Sequence, residues 1–250
     1  VFKGIMRKEL SKNQLQIIAI IAMTIDHLTW LFFPGTQKLW YVMALHAIGR
    51  LTAPIMWYFI AEGCYYTKNH VKYIKRLFFF ALISHFAFTL AFGIPVIPFT
   101  DGVFNQTSVM FPLSIAALLI YINKKDDLSP IIKIIAIILA CVVAFPADWS
   151  SIAVMVPFFL YENRGDFKKQ SIVMTIFVCG YVLIYFLFLD KAYGLLQFCT
   201  LLTLPLLYKY KGSVGKLKMN KWFFYIYFPA HMAIVGILRL VIWGDIPLVF

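Results

Sequence analysis

Nine predominantly apolar stretches divide this chain, and its lysines and arginines fall almost entirely in every second gap between them. The stretches cover residues 15–33, 39–66, 77–97, 107–122, 131–145, 151–161, 171–189, 195–208 and 222–243. Hydrocarbon offers a backbone N–H no partner outside a helix or a closed barrel, and a helix needs about 20 residues to cross it. The pattern therefore predicts an all-α, polytopic membrane bundle of about nine transmembrane helices. The fourth, fifth, sixth and eighth stretches are shorter than that length, so they are expected to run steeply, to be shielded by neighbours or to sit in a thinned region.

Charge sets the orientation. One group of gaps holds Lys3, Arg7, Lys8 and Lys12, then Lys68, Lys72, Lys75 and Arg76, then Lys124 and Lys125. It also holds Arg164, Lys168 and Lys169, and finally Lys209, Lys211, Lys216, Lys218 and Lys221. The other group holds only Lys38 and Lys191. The rich side reads as cytoplasmic, which places the N-terminus inside and, with nine spans, the C-terminus outside. A formal charge of +12 would suggest nucleic acid in a soluble chain. Here the topology signal and anionic lipid headgroups explain it, and no nucleic-acid role is expected. At 62% hydrophobic and 14% charged residues, the 250-residue chain reads as one domain over 1–250, multi-pass in the cell membrane. The first span is too long for a signal peptide and is followed by no small-residue cleavage site, so it is expected to remain as a helix.

Little conventional motif chemistry is present. Cys64, Cys141, Cys179 and Cys199 all lie within or at the ends of spans with no C-x-x-C pair, so they read as small apolar fillers. No Walker loop, dinucleotide fingerprint, H-E-x-x-H or inverted repeat is visible, and no metal is expected.

The chemistry must then lie in the polar residues inside the spans, where each charge is costly and faces a bundle interior or wet cavity. M-T-I-D-H puts Asp26 and His27 past the middle of the first span. As neighbours they point about 100° apart on a helix and need a residue from elsewhere to join them. Arg50 sits four residues before Pro54, which frees the Arg50 carbonyl, and Asp26 is its expected partner. Glu62 lies roughly 18 Å further toward the cytoplasm at 1.5 Å per residue. Tyr227 and His231, four apart, share a helical face beside Pro229. His46, near the outer interface, and His85, in the third span, read as structural. Asn105 and Asp148 in the outer connections are candidates to look inward. Lys72, Lys75 and Arg76 line a short amphipathic stretch that a cytoplasmic polyanion could use.

Taken together these positions resemble the TraX family of membrane acetyltransferases. The resemblance rests on I-I-A-M-T-I-D-H at 20–27, G-R-L-T-A-P-I-M-W-Y-F-I-A-E-G at 49–63, T-K-N-H-V-K-Y-I-K-R-L at 67–77 and F-F-Y-I-Y-F-P-A-H at 223–231. It implies acetyl transfer from cytosolic acetyl-CoA to an amine or hydroxyl of an acceptor in or across the membrane. The acceptor, a peptide N-terminus, a glycan or a lipid, stays open. On that reading His27 or His231 is the base, with His27 favoured, and Asp26 orients it or stabilises its charge. Arg50 binds the acyl carbonyl or the acceptor, with Glu62, Tyr227, Asn105 and Asp148 as further substrate contacts. Coenzyme A phosphates would dock on Lys72, Lys75 and Arg76, the arm of about 15–20 Å running up toward His27, a rise reckoned at 1.5 Å per residue. Two alternatives remain: a proton-coupled small-solute transporter or flippase, with Asp26, Glu62 and the histidines as relay, and a non-catalytic scaffold.

Overall fold

The computed structural model describes residues 9–100, 102–215 and 222–248. Lys3, Arg7, Lys8, Lys216, Lys218 and Lys221, counted above in the charge asymmetry, lie outside the described residues. Among the described residues the regular structure is helical, with two isolated bridges, Leu10 to Tyr210 and Thr107 to Ala147. The helices are α1 (Lys12–Phe32), α2 (Trp40–Gly49), α3 (Thr52–Tyr66), α4 (His70–Phe92), α5 (Met110–Asn123) and α6 (Pro130–Ala144). They continue with α7 (Ile152–Glu162), α8 (Phe167–Phe188), α9 (Lys191–Leu196), a 3₁₀ segment (Gln197–Thr203), α10 (Leu204–Tyr208) and α11 (Phe223–Trp243).

Four of these, α1, α4, α8 and α11, are long and apolar enough to cross a membrane, and α5, α6 and α7 are shorter apolar helices. The expectation of nine uninterrupted spans is therefore corrected at two places. The second stretch breaks at Arg50–Leu51 into α2 and α3. Pro54, the third residue of α3, has no N–H to continue the ladder back to Arg50. The chain tightens there, with the Leu51 N–H donating to the Ile48 carbonyl at 3.1 Å. The eighth stretch is assembled from α9, the 3₁₀ segment and α10.

The surface matches a lipid environment. On α6 only Ala140 and Ala144 are buried, while Ile131, Ile135, Ile138 and Val142 are each about half exposed or more. Water would not tolerate a contiguous apolar face of this size.

Hydrogen bonds gather the connections into two ends. At one end Lys38 pairs with Asp190 at 2.9 Å, and the Gln106 N–H donates to the Pro146 carbonyl at 2.7 Å. There too the Leu248 N–H donates to the Phe92 carbonyl at 2.9 Å. At the other, Leu10 N–H donates to Lys209 O at 3.0 Å, and Lys133 Nζ donates to Asn123 O at 2.8 Å. That second end carries nearly all the described lysines and arginines of the loops and is called the basic end below. Ser11 and Gln14 close a capping box that starts α1 there.

Close packing fixes α11 on α4. A Cβ at Gly236 would lie 2.6 Å from Leu90 Cγ, so only glycine permits this approach. Arg239, inside the last helix, donates to the carbonyls of Leu90 at 3.1 Å, Gly244 at 3.1 Å and Ile246 at 3.0 Å. Its charge thus clamps the end of α11 to α4.

Candidate functional site

A cavity of about 650 Å³ opens among the loops of the end opposite the basic one. Its polar lining comes from Asp26 and His27 of α1, Arg50 and Thr52 at the α2–α3 break, and Asn105, Gln106 and Asp148 of the loops. Thr36, Tyr185, Asp190, Tyr193 and Gln197 line it too.

The central pair is His27 and His231. His27 Nδ1 lies 2.7 Å from His231 Nε2, and the two rings stack at 4.9 Å between centroids. On its other side His231 Nδ1 is 2.9 Å from the Tyr227 carbonyl. A carbonyl only accepts, so His231 Nδ1 carries the proton and donates to it. His231 Nε2 is then the acceptor, and His27 Nδ1–H donates to it. That chain leaves the lone pair on His27 Nε2, in the cavity wall. Tyr227 supports the arrangement twice more: its ring stacks on His231 at 5.0 Å, and its hydroxyl is 2.6 Å from Thr24 Oγ1. Phe92 meets the His27 ring edge-on at 6.0 Å.

Asp26 does not orient His27. Its Oδ1 accepts from His46 Nδ1 at 2.8 Å and from Arg50 Nη2 at 3.5 Å. The expected joining of Asp26 and Arg50 across the first two spans is present in the geometry, and His46, expected to be structural near the outer interface, is the third member of the cluster. His46 is fully buried and packed against Trp30 at 4.5 Å. Gly49 makes room for the cluster, since a Cβ there would fall on the Asp26 side chain. Arg50 also lies over the Trp149 ring at 5.7 Å, and its Nε has no hydrogen-bond partner among the described residues. A guanidinium fork with an unused donor beside a cavity suits an anionic or developing-oxyanion group.

The loops contribute the rest. Trp149 and Ser150 both adopt positive φ, at 61° and 45°, a conformation costly for residues other than glycine. They are held there by the Asp148 N–H donating to the Thr107 carbonyl at 2.8 Å and by Trp149 stacking on Tyr181 at 5.2 Å. This turn presents Asp148 to the cavity. Burial pushes the Asp148 carboxyl up to about 7, against the pull of the Arg50 guanidinium, with Asp26 adding to the rise. Asp190, by contrast, is held below the usual carboxylate range by its hydrogen bond to Lys38 and by the backbone N–H of Tyr193.

Other expected site residues lie elsewhere. Glu62 accepts from Arg164 Nε at 2.8 Å near the basic end and does not line the cavity. Lys72 and Lys75 are exposed at the start of α4. The Arg76 guanidinium lies 4.9 Å over the Tyr225 ring and 5.5 Å over Trp222, and its Nε has no hydrogen-bond partner among the described residues. His27 packs instead on Phe92 at the far end of the same helix. From Arg76 to Phe92 is about 24 Å at 1.5 Å per residue. The expected path from these cations to His27 is therefore longer than the arm meant to span it. Among the described residues no group of three His, Cys, Asp or Glu is placed to hold a metal ion.

The family described as TraX protein matches residues 11–239, which takes in Asp26, His27, Arg50 and His231. The chain belongs to the TraX family. It is similar to a probable fimbrial assembly protein FimC, serogroup H1, of Dichelobacter nodosus, at 30% identity over 234 residues. The match covers 91% of this chain and 95% of that protein. No solved structure matches. Family membership and this relative correct the functional reading drawn from the sequence. The relative is named for fimbrial assembly, not for acetyl transfer from acetyl-CoA or for carriage of a solute or lipid. Both of those readings are set aside.

Proposed function

We propose that this chain is a multi-pass protein of the cell membrane, its basic end cytoplasmic, and that it acts as an enzyme of fimbrial assembly. The charge asymmetry of the loops supports that orientation, and with it the cavity opens on the outer side. The 30% identity to a fimbrial assembly protein over 95% of that protein's length supports the biological setting. The cavity receives a polar end of a fimbrial subunit. His27 Nε2 removes a proton from an amine or hydroxyl there, and His231 with the Tyr227 carbonyl fixes the tautomer that makes this possible. Arg50, braced by Asp26, holds the anionic or carbonyl group beside the nucleophile.

The observation that carries the reading is the 2.7 Å His27–His231 contact backed by the Tyr227 carbonyl at 2.9 Å. An imidazole lone pair is thereby directed into a cavity that also holds a guanidinium. The test is the intact mass of fimbrial subunits from cells with and without the chain. A mass difference on the subunit that depends on the chain is expected. Identical subunit masses together with lost fimbriae would point to a non-covalent role in assembly and contradict the enzymatic reading.

A further inference from the structure

A second space, an apolar groove of about 390 Å³, lies beside the cavity between α8 and the start of α7. On α8 it is lined by a stripe of four-residue spacing, Ile176, Gly180 and Ile184, and on α7 by Ile152 and Met155. The hydroxyls of its two serines are turned back on the chain. Ser150 Oγ donates to the Phe145 carbonyl at 2.9 Å and Ser151 Oγ to the Cys141 carbonyl at 2.7 Å.

Gly180 holds this groove open. A Cβ there would meet nothing within 4 Å, so no neighbour requires glycine, in contrast to Gly236. Glycine inside a helix is destabilising relative to alanine, and what it leaves here is a gap in the stripe. The groove runs from Leu189, at the cavity end of α8, to Ile176 near the middle of that helix. That is about 20 Å at 1.5 Å per residue, the depth of one leaflet with its headgroups, about 20 Å. Few residues of α8 are buried, and Ile176 and Ile184 are 64% and 47% exposed. The groove is thus open sideways to the bilayer.

It also adjoins the cavity. Phe104, Asn105, Tyr185 and Leu189 line both spaces. Trp149 links their walls, with the Arg50 guanidinium 5.7 Å over its ring and Tyr181 of the groove stacked on it at 5.2 Å. A cation one ring away from an apolar groove of leaflet depth fits an amphiphile. We propose that the two spaces together bind a phospholipid of the outer leaflet, one acyl chain in the groove and the phosphate at Arg50. A guanidinium fork suits phosphate. The inference rests on the membrane placement proposed above, and holds whether or not His27 acts as the base.

Photolabelling tests it in the full-length protein, reconstituted in phosphatidylcholine vesicles. The probe is a trace of phosphatidylglycerol carrying a diazirine in one acyl chain. Cross-links are counted at residues 176–184 of the groove and at residues 131–142 of the exposed α6 face, which reads ordinary lipid contact. The groove should be labelled in excess of α6. Gly180→Leu fills the gap while improving helix propensity, so it should abolish the excess with the thermal midpoint kept or raised. Gly180→Ala should retain the excess. A diacylglycerol probe with the same chain should label the groove roughly 10-fold less, the worth of one hydrogen bond to a charged group, and Arg50→Gln should erase that difference. Equal labelling of groove and α6, an excess that survives Gly180→Leu, or equal labelling by the two probes overturns the proposal. Suppression of groove labelling by added fimbrial subunit, but not by added phosphatidylglycerol, would assign the groove to the subunit and also overturns it. No labelling at either face would contradict the membrane placement as well.

Discussion

The two ends of the bundle each hold a carboxylate and a guanidinium, and the pairs are built differently. Near the basic end Arg164 Nε donates to Glu62 at 2.8 Å, its Nη2 donates to the Tyr66 hydroxyl at 2.9 Å, and the guanidinium lies 3.5 Å over the Tyr65 ring. That cation is thus held by a carboxylate, a hydroxyl and a ring at once. In the cavity Arg50 reaches Asp26 at 3.5 Å only, and its Nε stays unpartnered among the described residues. Asp26 is meanwhile held by His46 at 2.8 Å. A closed pair pins helices, whereas a loosely held guanidinium at a cavity wall has donors left for a ligand. Arg76 is enclosed by the rings of Tyr73, Trp222 and Tyr225, although its Nε, like that of Arg50, has no hydrogen-bond partner among the described residues.

Substitutions can break this contrast. The largest effect beyond the base itself is expected at Arg50. Arg50→Ala should slow modification of the fimbrial subunit by roughly 10²-fold, the typical cost of removing one oxyanion donor, with the protein still folded. Normal subunit modification in that variant would mean the open guanidinium is structural after all. At the closed pair the prediction reverses. Arg164→Ala leaves Glu62 buried and unpaired. Loss of one partner of a buried pair costs about 3–5 kcal/mol, here discounted to about 2 kcal/mol because the Arg164 side chain is 28% exposed. Denaturation in detergent should show that loss while the cavity chemistry persists.

Asp148 gives a pH-dependent version of the comparison. Its folded-state pKa of about 7 lies above the ordinary 3.8, so the folded protein holds this proton more tightly than the unfolded chain does. Stability from this group is complete below about pH 4 and declines as the pH rises through about 7. Asp148→Asn should flatten the fall in thermal midpoint between pH 5 and pH 8, and an unchanged slope would refute the assignment. The smallest effect is expected for Tyr227→Phe. It loses the hydroxyl contact to Thr24 but keeps the carbonyl that fixes His231, so about 1 kcal/mol of stability should go with little change in modification rate.

Sequence alone could reach the cavity cluster only in part. Mid-span charges are rare and must find each other, so Asp26 and Arg50 were legible as partners. The four-residue spacing of Tyr227 and His231 also holds, although it is the Tyr227 carbonyl, not its hydroxyl, that meets the ring. Contacts that depend on which helices are neighbours were not legible. Glu62 meets Arg164 from 102 positions away, His27 meets His231 from 204, and His46 reaches Asp26 across a helix pair. Pro54 announced a distortion near Arg50 but not a full break into two helices.

The central claim is that the working chemistry sits at the His27–His231 pair in the cavity and not at the buried charges near the basic end. The most direct test compares the intact mass of fimbrial subunits from cells carrying His27→Ala with those from cells carrying Glu62→Gln. Loss of a general base typically costs 10²–10⁴-fold. The account therefore predicts subunits with the mass seen in cells lacking the chain for His27→Ala. It predicts subunits of wild-type mass for Glu62→Gln, even at reduced protein abundance. Fully modified subunits with His27→Ala, or unmodified ones with Glu62→Gln at normal abundance, would contradict it.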